Sequence, residues 1–106
     1  MRVTVTHNQP KQEVKKRIDG ALDDIITGMP GGFVQIMDEQ KKWTGDQLDF
    51  AFNARAGFMN VPVKGFVLVE DRQVTIDVDL PAFISQFLPE SQMKTGIESR
   101  VKGLLT

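Results

Sequence analysis

Histidine and serine are the first residue types to consider for chemistry, because a serine hydrolase needs a serine, a histidine and an acid held together. The chain has one histidine, His7, and no cysteine or tyrosine. Its serines, Ser85, Ser91 and Ser99, fall in the C-terminal helical region, and none follows a strand in the sharp turn that exposes a catalytic serine. We interpret His7 as a residue at the end of a first strand; the alternative is a functional base.

Asp77 and Asp79 are the strongest carboxylate pair, since both lie on the polar side of one predicted strand. The predicted register places Asp79 opposite Lys64 and Lys64 opposite Asp49, so that an Asp-Lys-Asp row crosses three strands. Ion pairing on a water-exposed surface explains this row more simply than acid and base catalysis. The sequence shows neither a phosphate-binding glycine loop nor a cluster of metal ligands. It predicts no catalytic residue, no metal site and no cofactor.

Length and charge narrow the classes of protein further. A chain of 106 residues with no cysteine predicts one domain, residues 1–106, that needs no disulfide to form a core. The net charge of −1 lacks the basic excess that nucleic-acid binding requires. No stretch approaches the ~20 apolar residues of a membrane span, and the N-terminus lacks the apolar core of a signal peptide. We therefore expect a cytoplasmic protein without a nucleic-acid partner.

Residues 43–81 predict a three-stranded meander. Apolar residues alternate in each strand, as expected when one face is buried: Leu48, Phe50, Phe52 and Ala54, then Val61, Val63, Gly65, Val67 and Val69, then Val74, Ile76, Val78 and Leu80. A turn at Asp71-Arg72 pairs Val69 with Val74. A turn at Ala56-Gly57 pairs Phe52 with Val61. With both turns, the three apolar faces coincide.

The rest of the chain supplies elements to cover that face. Arg2 to His7 alternates as a first strand, and an amphipathic helix with Asn8 as N-cap is expected to end near Gly28. Residues 33–43 are interpreted as a strand, bulged or frayed at its polar end, with a tight turn at Thr44-Gly45 placing Trp43 beside Asp46. Pro89 starts a last amphipathic helix.

This order predicts a two-layer α+β fold, β-α-β-β-β-β-α, in which both helices cover one face of a curled antiparallel sheet. The arrangement is similar to a reduced helix-grip fold, in which the sheet curls around the terminal helix. Placing the first strand beside the last gives the spatial order 2-3-4-5-1.

The fourth strand is unusual because its second face is also partly apolar. Phe58, Pro62, Phe66 and Leu68 point away from the valines of the same strand. One explanation is a modest apolar surface patch of the kind found on many monomers. The other is a contact surface, with Phe66, Leu68 and Phe58 as partner-binding residues for a homodimer or a hydrophobic partner.

Several short motifs, in their order and spacing, resemble the polyhydroxyalkanoic acid system protein family. They are the strand ending in His7, Trp43-Thr44-Gly45-Asp46 followed by Phe50, the Gly57 turn, Val63-Lys64-Gly65, Asp79-Leu80-Pro81 leading to Phe87, and Ile97 in a final helix. The resemblance covers nearly the whole chain. It implies a small bacterial accessory or regulatory protein of polyhydroxyalkanoate metabolism, acting on a polyester granule or a granule-associated protein. It implies no reaction and no catalytic residue.

Two functions therefore stay open. The first is a non-enzymatic accessory protein that binds a granule or protein partner through its sheet. The second is a small helix-grip domain that holds a lipid-like ligand between the sheet and the last helix. Size favours the first, because Phe50, Phe52, Phe83 and Phe87 are expected to fill the interior, whereas a drug-sized pocket needs roughly 300 Å³.

Overall fold

The protein forms one antiparallel sheet and two helices in a computed structural model that describes residues 1–27, 35–56, 59–79 and 90–105. In chain order the elements are β1 (Arg2–Thr6), α1 (Lys11–Thr27), β2 (Gln35–Thr44), β3 (Gln47–Ala56), β4 (Met59–Val69), β5 (Gln73–Asp79) and α2 (Glu90–Leu105). The sheet is open and curled, with the strand order β1-β5-β4-β3-β2. The predicted α+β class, element order and strand order are confirmed.

The core lies between one face of this sheet and the two helices. Alternate strand residues are buried, as in β5, where Val74, Ile76 and Val78 are at most 5% exposed. Each helix adds an apolar stripe, and the buried helix residues are Val14, Ile18, Leu22, Met93, Ile97, Val101 and Leu105. Burial of this apolar area is the main favourable contribution to folding. The side chains of Ile25 and Met29, also predicted in the α1 stripe, lie outside the described residues.

Helix α1 begins later than the sequence predicts. Its first residue is Lys11, and the carbonyl of Pro10 accepts a hydrogen bond from the Val14 amide at 3.1 Å. Asn8 is therefore too early to be the N-cap, because the cap is the residue directly before the helical turn. The helix ends at Thr27, next to the predicted stop at Gly28.

The C-terminus of α2 is held by residues from the N-terminal part of the chain. Gln9 donates from Nε2 to the Leu105 carbonyl at 2.7 Å, and Arg17 donates from Nη1 to the Leu104 carbonyl at 2.9 Å. The last carbonyls of a helix have no partner within the helix, so these donors satisfy two of them. The positive charge of Arg17 also opposes the negative end of the helix dipole.

The register between β3 and β4 differs from the predicted one by two residues. Phe52 pairs with Val63 and Phe50 with Gly65, because the ladder closes at Ala56 and Met59. The predicted pairs of Phe52 with Val61 and of Phe50 with Val63 are therefore wrong. A shift by two keeps every side chain on its predicted face. The predicted turn residue Gly57 lies outside the described residues, whereas the pairing of Val69 with Val74 is confirmed.

Strand β2 also pairs two residues away from the prediction. Trp43 lies opposite Leu48 rather than beside Asp46, because the connecting turn is Gly45-Asp46. Gly45 has φ +60°, the conformation that a tight hairpin turn requires and that glycine adopts without strain.

Fraying or a bulge was predicted at the polar end of β2, and the structure shows a bulge within the strand. Met37 pairs with Asn53 and Gln40 with Ala51, so two residues of β2 face one residue of β3. The first of these two residues, Asp38, has φ 56°. Asn53 donates from Nδ2 to Oδ2 of Asp38 at 3.1 Å and ties the bulge to β3.

Candidate functional site

The outer face of the sheet, defined as the side opposite the helices, carries the residues predicted to bind a partner. The central strand β4 places Phe66 and Leu68 there, because Val67 and Val69, each 1% exposed, point into the core. Phe66 and Leu68 are both partly exposed. The predicted orientation of both residues is therefore confirmed. We call Phe66 and Leu68 the apolar patch. Phe58, the third candidate, lies outside the described residues.

Charged residues flank Phe66 on both sides. It lies between Asp49 on β3 and Asp77 on β5, and the same row continues to Lys42 at one edge of the sheet and Arg2 at the other. Arg2 binds Asp77, with Nε and Oδ2 3.1 Å apart. The row therefore has an apolar centre, a carboxylate on each side and a cation at each end.

The neighbouring row, centred on Leu68, carries no formal charge. Gln47 and Thr75 lie beside Leu68, and Thr44 and Thr4 complete the row at the two edges. Hydroxyl and amide groups of this kind can donate or accept hydrogen bonds without the cost of stripping water from an ion. The outer face thus combines an apolar centre with a neutral polar half and a charged half.

The predicted Asp-Lys-Asp row is only half correct. Lys64 is exposed on the outer face and lies opposite Asp79, as predicted, but its other neighbour is Ala51 and not Asp49. The two-residue register shift between β3 and β4 is the cause. Within the described residues Lys64 forms no ion pair, so this position offers no acid-base pair.

Two open depressions, of about 470 and 740 Å³, adjoin these rows. Outward-pointing residues, including Lys64 and Asp79, line part of both, and the larger one reaches Phe66. Core-side residues also contribute, such as Phe52 in the smaller depression and Phe50 in the larger. Both are open to solvent and neither is lined by a described residue of α2, so neither matches the enclosed space between the sheet and the last helix that a helix-grip ligand would occupy.

His7 is buried and hydrogen bonded at both ring nitrogens. It is 5% exposed, Nδ1 lies 3.2 Å from the Gln9 amide, and Nε2 lies 2.9 Å from the Glu70 carbonyl. The amide can only donate and the carbonyl can only accept, so these two contacts fit the tautomer that carries its proton on Nε2. His7 therefore connects β1 to the turn after β4, in agreement with its interpretation as a residue at a strand end.

The two serines that the structure describes lie apart from the buried His7. Ser91 and Ser99 are exposed on α2, and Ser85 lies outside the described residues. In the ranges that the structure describes, no three histidine, cysteine or carboxylate residues are grouped as metal ligands. No helix in those ranges is long and apolar enough to cross a membrane.

A polar cluster that the sequence analysis did not identify joins α1 to two turns of the sheet. Lys11 binds Asp46 at 3.0 Å and Asp71 at 3.5 Å. Lys15 donates to the Gly45 carbonyl at 2.8 Å and lies 5.2 Å from the centroid of the Trp43 ring, within the range of a cation–π contact. These partners are some 30 to 60 positions apart in the chain, and no local pattern could predict them.

A second group of polar contacts holds β2 against α1. The Trp43 indole donates to Oδ1 of Asp19 at 3.0 Å, and Lys41 lies 3.3 Å from the same oxygen. The indole hydrogen bond is the main reason that the pKa of Asp19 lies below its usual value, and Lys41 acts in the same direction. Trp43 could have indicated such a contact from the sequence alone, because the N–H of a partly buried indole needs a hydrogen-bond acceptor.

Fold and site together define a small α+β protein with helices on one side of an open sheet and an apolar patch on the other. A family model with the description "Putative polyhydroxyalkanoic acid system protein" matches residues 1–105. The chain belongs to the polyhydroxyalkanoic acid system protein family, as its motifs indicated. The family description names no reaction.

Two solved structures are distantly similar. One is TTHA0849 from Thermus thermophilus, with a TM-score of 0.41 and 16% identity over 98% of this chain and 92% of that chain. The other is the quaternary ammonium Rieske monooxygenase CntA, solved with an inhibitor, with a TM-score of 0.43 and 11% identity over 100% of this chain and 40% of that chain. No curated protein sequence matches the chain.

Proposed function

We propose that this protein is a non-enzymatic accessory protein of polyhydroxyalkanoate metabolism that adheres to the polyester granule through the outer face of its sheet. The observation that supports this proposal most directly is the apolar patch. Phe66 and Leu68 are neighbours on the central strand and are partly exposed, whereas the helices cover the opposite face. Large apolar side chains at the centre of a polar rim are typical of residues that contribute most to binding.

The surroundings of the patch suit a polyester surface. A polyester presents alkyl groups and ester carbonyls but no charge, and the carbonyls can only accept hydrogen bonds. The row around Leu68 supplies donors without ions, namely the hydroxyls of Thr4, Thr44 and Thr75. The amide of Gln47 adds one N–H, because its Nε2 already donates to Oδ1 of Asp49 at 3.0 Å. Binding through this half would not require a charged group to lose its water.

A binding role also agrees with the state of the residues considered for catalysis. His7 is buried, and both of its ring nitrogens are engaged with backbone groups. A general base must be within hydrogen-bond reach of the proton it removes from a substrate, and both ring positions of His7 are already used. This arrangement supports a structural role for His7.

The alternative of a lipid-like ligand inside the fold has less support. Phe50 and Phe52 are 5% and 4% exposed, and their rings stack with centroids 6.2 Å apart on the core side of β3. Ile97 and Val101 of α2 are at most 2% exposed. These side chains occupy the space between the sheet and α2 that such a ligand would need.

Sedimentation with granules tests the proposal. We expect the wild-type protein to sediment with polyester granules that have been stripped of protein, and the double variant Phe66→Ser, Leu68→Ser to stay mainly in the supernatant. Removing two apolar anchors should weaken binding by tenfold or more, since each is worth roughly 1 kcal/mol or more at an interface centre. Circular dichroism must show that the variant is folded.

The matched control is Phe66→Leu, Leu68→Met, which keeps both positions apolar and should preserve binding. Equal sedimentation of the wild type and the serine variant would contradict the proposed surface. Binding to native granules but not to stripped ones would instead identify a granule-associated protein as the partner.

A further inference from the structure

The two edges of the sheet differ in their ability to pair with another strand. At one edge, β2 carries the bulge at Asp38 and the charged residues Lys41 and Lys42, which are typical of edges that avoid pairing. At the other edge, β1 has the sequence RVTVT, with β-branched residues, regular pairing to β5 and no proline. Such a strand is favourable for pairing with a further strand.

The hydrogen bonds of β1 show which backbone groups face away from the sheet. Met1 and Val78 exchange two hydrogen bonds, of 3.0 and 2.8 Å, and the His7 amide donates to the Arg72 carbonyl at 2.9 Å. In an antiparallel ladder the bonded pairs alternate, so Val3 and Val5 also bond to β5. The amides and carbonyls of Arg2, Thr4 and Thr6 therefore point to the open edge.

These outward groups belong to three exposed residues, Arg2, Thr4 and Thr6. Beyond the ladder with β5, the described part of the chain provides no partner for their backbone groups. As far as the described ranges go, water is left to satisfy them, and a second strand could replace that water.

We propose that β1 pairs with β1 of a second copy of this chain, antiparallel and about a two-fold axis at Thr4. In this register Thr4 lies opposite Thr4 of the second copy, and Arg2 lies opposite Thr6. Each pair exchanges two hydrogen bonds, so all outward groups of the strand are used. A register shifted by two residues would form one pair fewer and would leave the outward groups of one residue in each copy without a partner.

The side chains are compatible with this register. Val3 of one copy lies opposite Val5 of the other, and both stay on the core side of the sheet, where they are already 4% and 3% exposed. Arg2 meets a threonine and not a second arginine, so no like charges are opposed. Both β1 edges are used in the dimer, and its two free edges are the β2 strands. Because β2 is bulged and charged, a third copy does not pair there and no filament forms.

This dimer differs from association through the outer face, and it does not depend on the proposed function. Edge pairing leaves Phe66 and Leu68 free in both copies. The two outer faces become one continuous sheet surface that carries two apolar patches. A dimer of this kind can adhere to an extended surface at two points, which raises the apparent affinity without a new contact.

Sedimentation velocity over a series of concentrations, with any affinity tag at the C-terminus, tests the pairing. We expect a monomer–dimer equilibrium for the wild type. Thr4→Pro should raise the dissociation constant at least tenfold, because proline removes the outward amide and is tolerated at an edge strand in the monomer. The matched control Thr4→Ala keeps the amide and should dimerise.

Charge variants test the two-fold axis even if the proline variant does not fold. Thr4→Glu and Thr4→Lys each oppose like charges on the axis, so each should be monomeric alone, while their equimolar mixture should form a heterodimer. A wild type that is monomeric at millimolar concentration would overturn the proposal. So would a dimer that survives Thr4→Pro or that is lost in Phe66→Ser, Leu68→Ser, since the latter result would place the interface on the outer face.

Discussion

At the scale of single residues, Gly65 is a position where the sheet leaves no room for a side chain. It lies on the core side of β4, paired with Phe50 of β3 and Val78 of β5. A Cβ atom there would collide with the Asp77 carbonyl oxygen and would lie 3.0 Å from both Cζ of Phe50 and Cα of Val78. Two of these three atoms belong to the backbone of β5. The Phe50 ring therefore packs over a gap that only glycine leaves open.

We expect Gly65→Ala to lower the free energy of unfolding by about 1–3 kcal/mol, the usual cost of overpacking a core. The measurement is urea denaturation followed by circular dichroism. The control is Gly20→Ala in α1, where a Cβ meets no atom within 4 Å. It should raise stability by up to about 1 kcal/mol, because alanine is the better helix former. Equal effects at the two positions would contradict this account of Gly65.

At the scale of elements, the cluster formed by Lys11, Lys15, Asp46 and Asp71 connects α1 to the turns of two hairpins. The hydrogen bond from Lys11 holds the pKa of Asp46 below its usual value of 3.8, and the charges of Lys11 and Lys15 act in the same direction. The hydrogen bond to Asp46 likewise raises the pKa of Lys11 above 10.5, with a further contribution from the charge of Asp71. All four side chains are at least partly exposed, so the cluster positions α1 more than it stabilises the fold.

These shifts predict how the Asp46→Asn substitution depends on pH. The contribution of the Asp46 carboxylate to the free energy of unfolding is complete above pH 3.8. It is lost as the pH falls through the lowered pKa of this group. The contribution of the Lys11 ammonium group to the free energy of unfolding is complete below pH 10.5. It is lost as the pH rises through the raised pKa of this group. The difference in melting temperature between wild type and Asp46→Asn should therefore be largest between these two values and should shrink on both sides.

Thermal melts across the pH range measure this difference. Asp79→Asn is the control, since Asp79 forms no ion pair in the described ranges. A difference that stays constant down to strongly acidic pH would show that Asp46 acts through packing and not through its charge.

At the scale of the whole molecule, the sequence predicted which face each side chain occupies better than which residues are opposite each other. Alternation distinguishes odd from even positions, and a register shift by two residues leaves it unchanged. The shift occurred in two hairpins, where the turn was placed one residue too early, at Thr44-Gly45 and at Ala56-Gly57. Only the chemistry of the turn separates such registers, and Gly45, at the first turn position, was the available signal.

The same limit applies to the candidate site. The orientation of Phe66 and Leu68 followed from alternation, so the apolar patch could be predicted. The neighbour of Phe66 on β5, Asp77, also followed, because the register of β4 with β5 was predicted correctly. Its neighbour on β3 did not, since that register was shifted: Asp49 lies opposite Phe66 and not opposite Lys64. The contacts of Lys11 with Asp46 and Asp71 depend on the packing of α1 against distant turns, which no local pattern encodes.

The pairing of β1 with β5 has a consequence for the kinetics of folding. Strands β2 to β5 are joined by short turns, whereas Arg2 and Asp77, which pair between β1 and β5, are 75 positions apart. Closing a long loop costs entropy before any contact forms, so we expect the four-stranded meander to form first and β1 to join it after the rate-limiting step. In stopped-flow experiments Val5→Ala should then mainly accelerate unfolding, while Val67→Ala should slow folding. The strand that completes the sheet would also be the first to leave it.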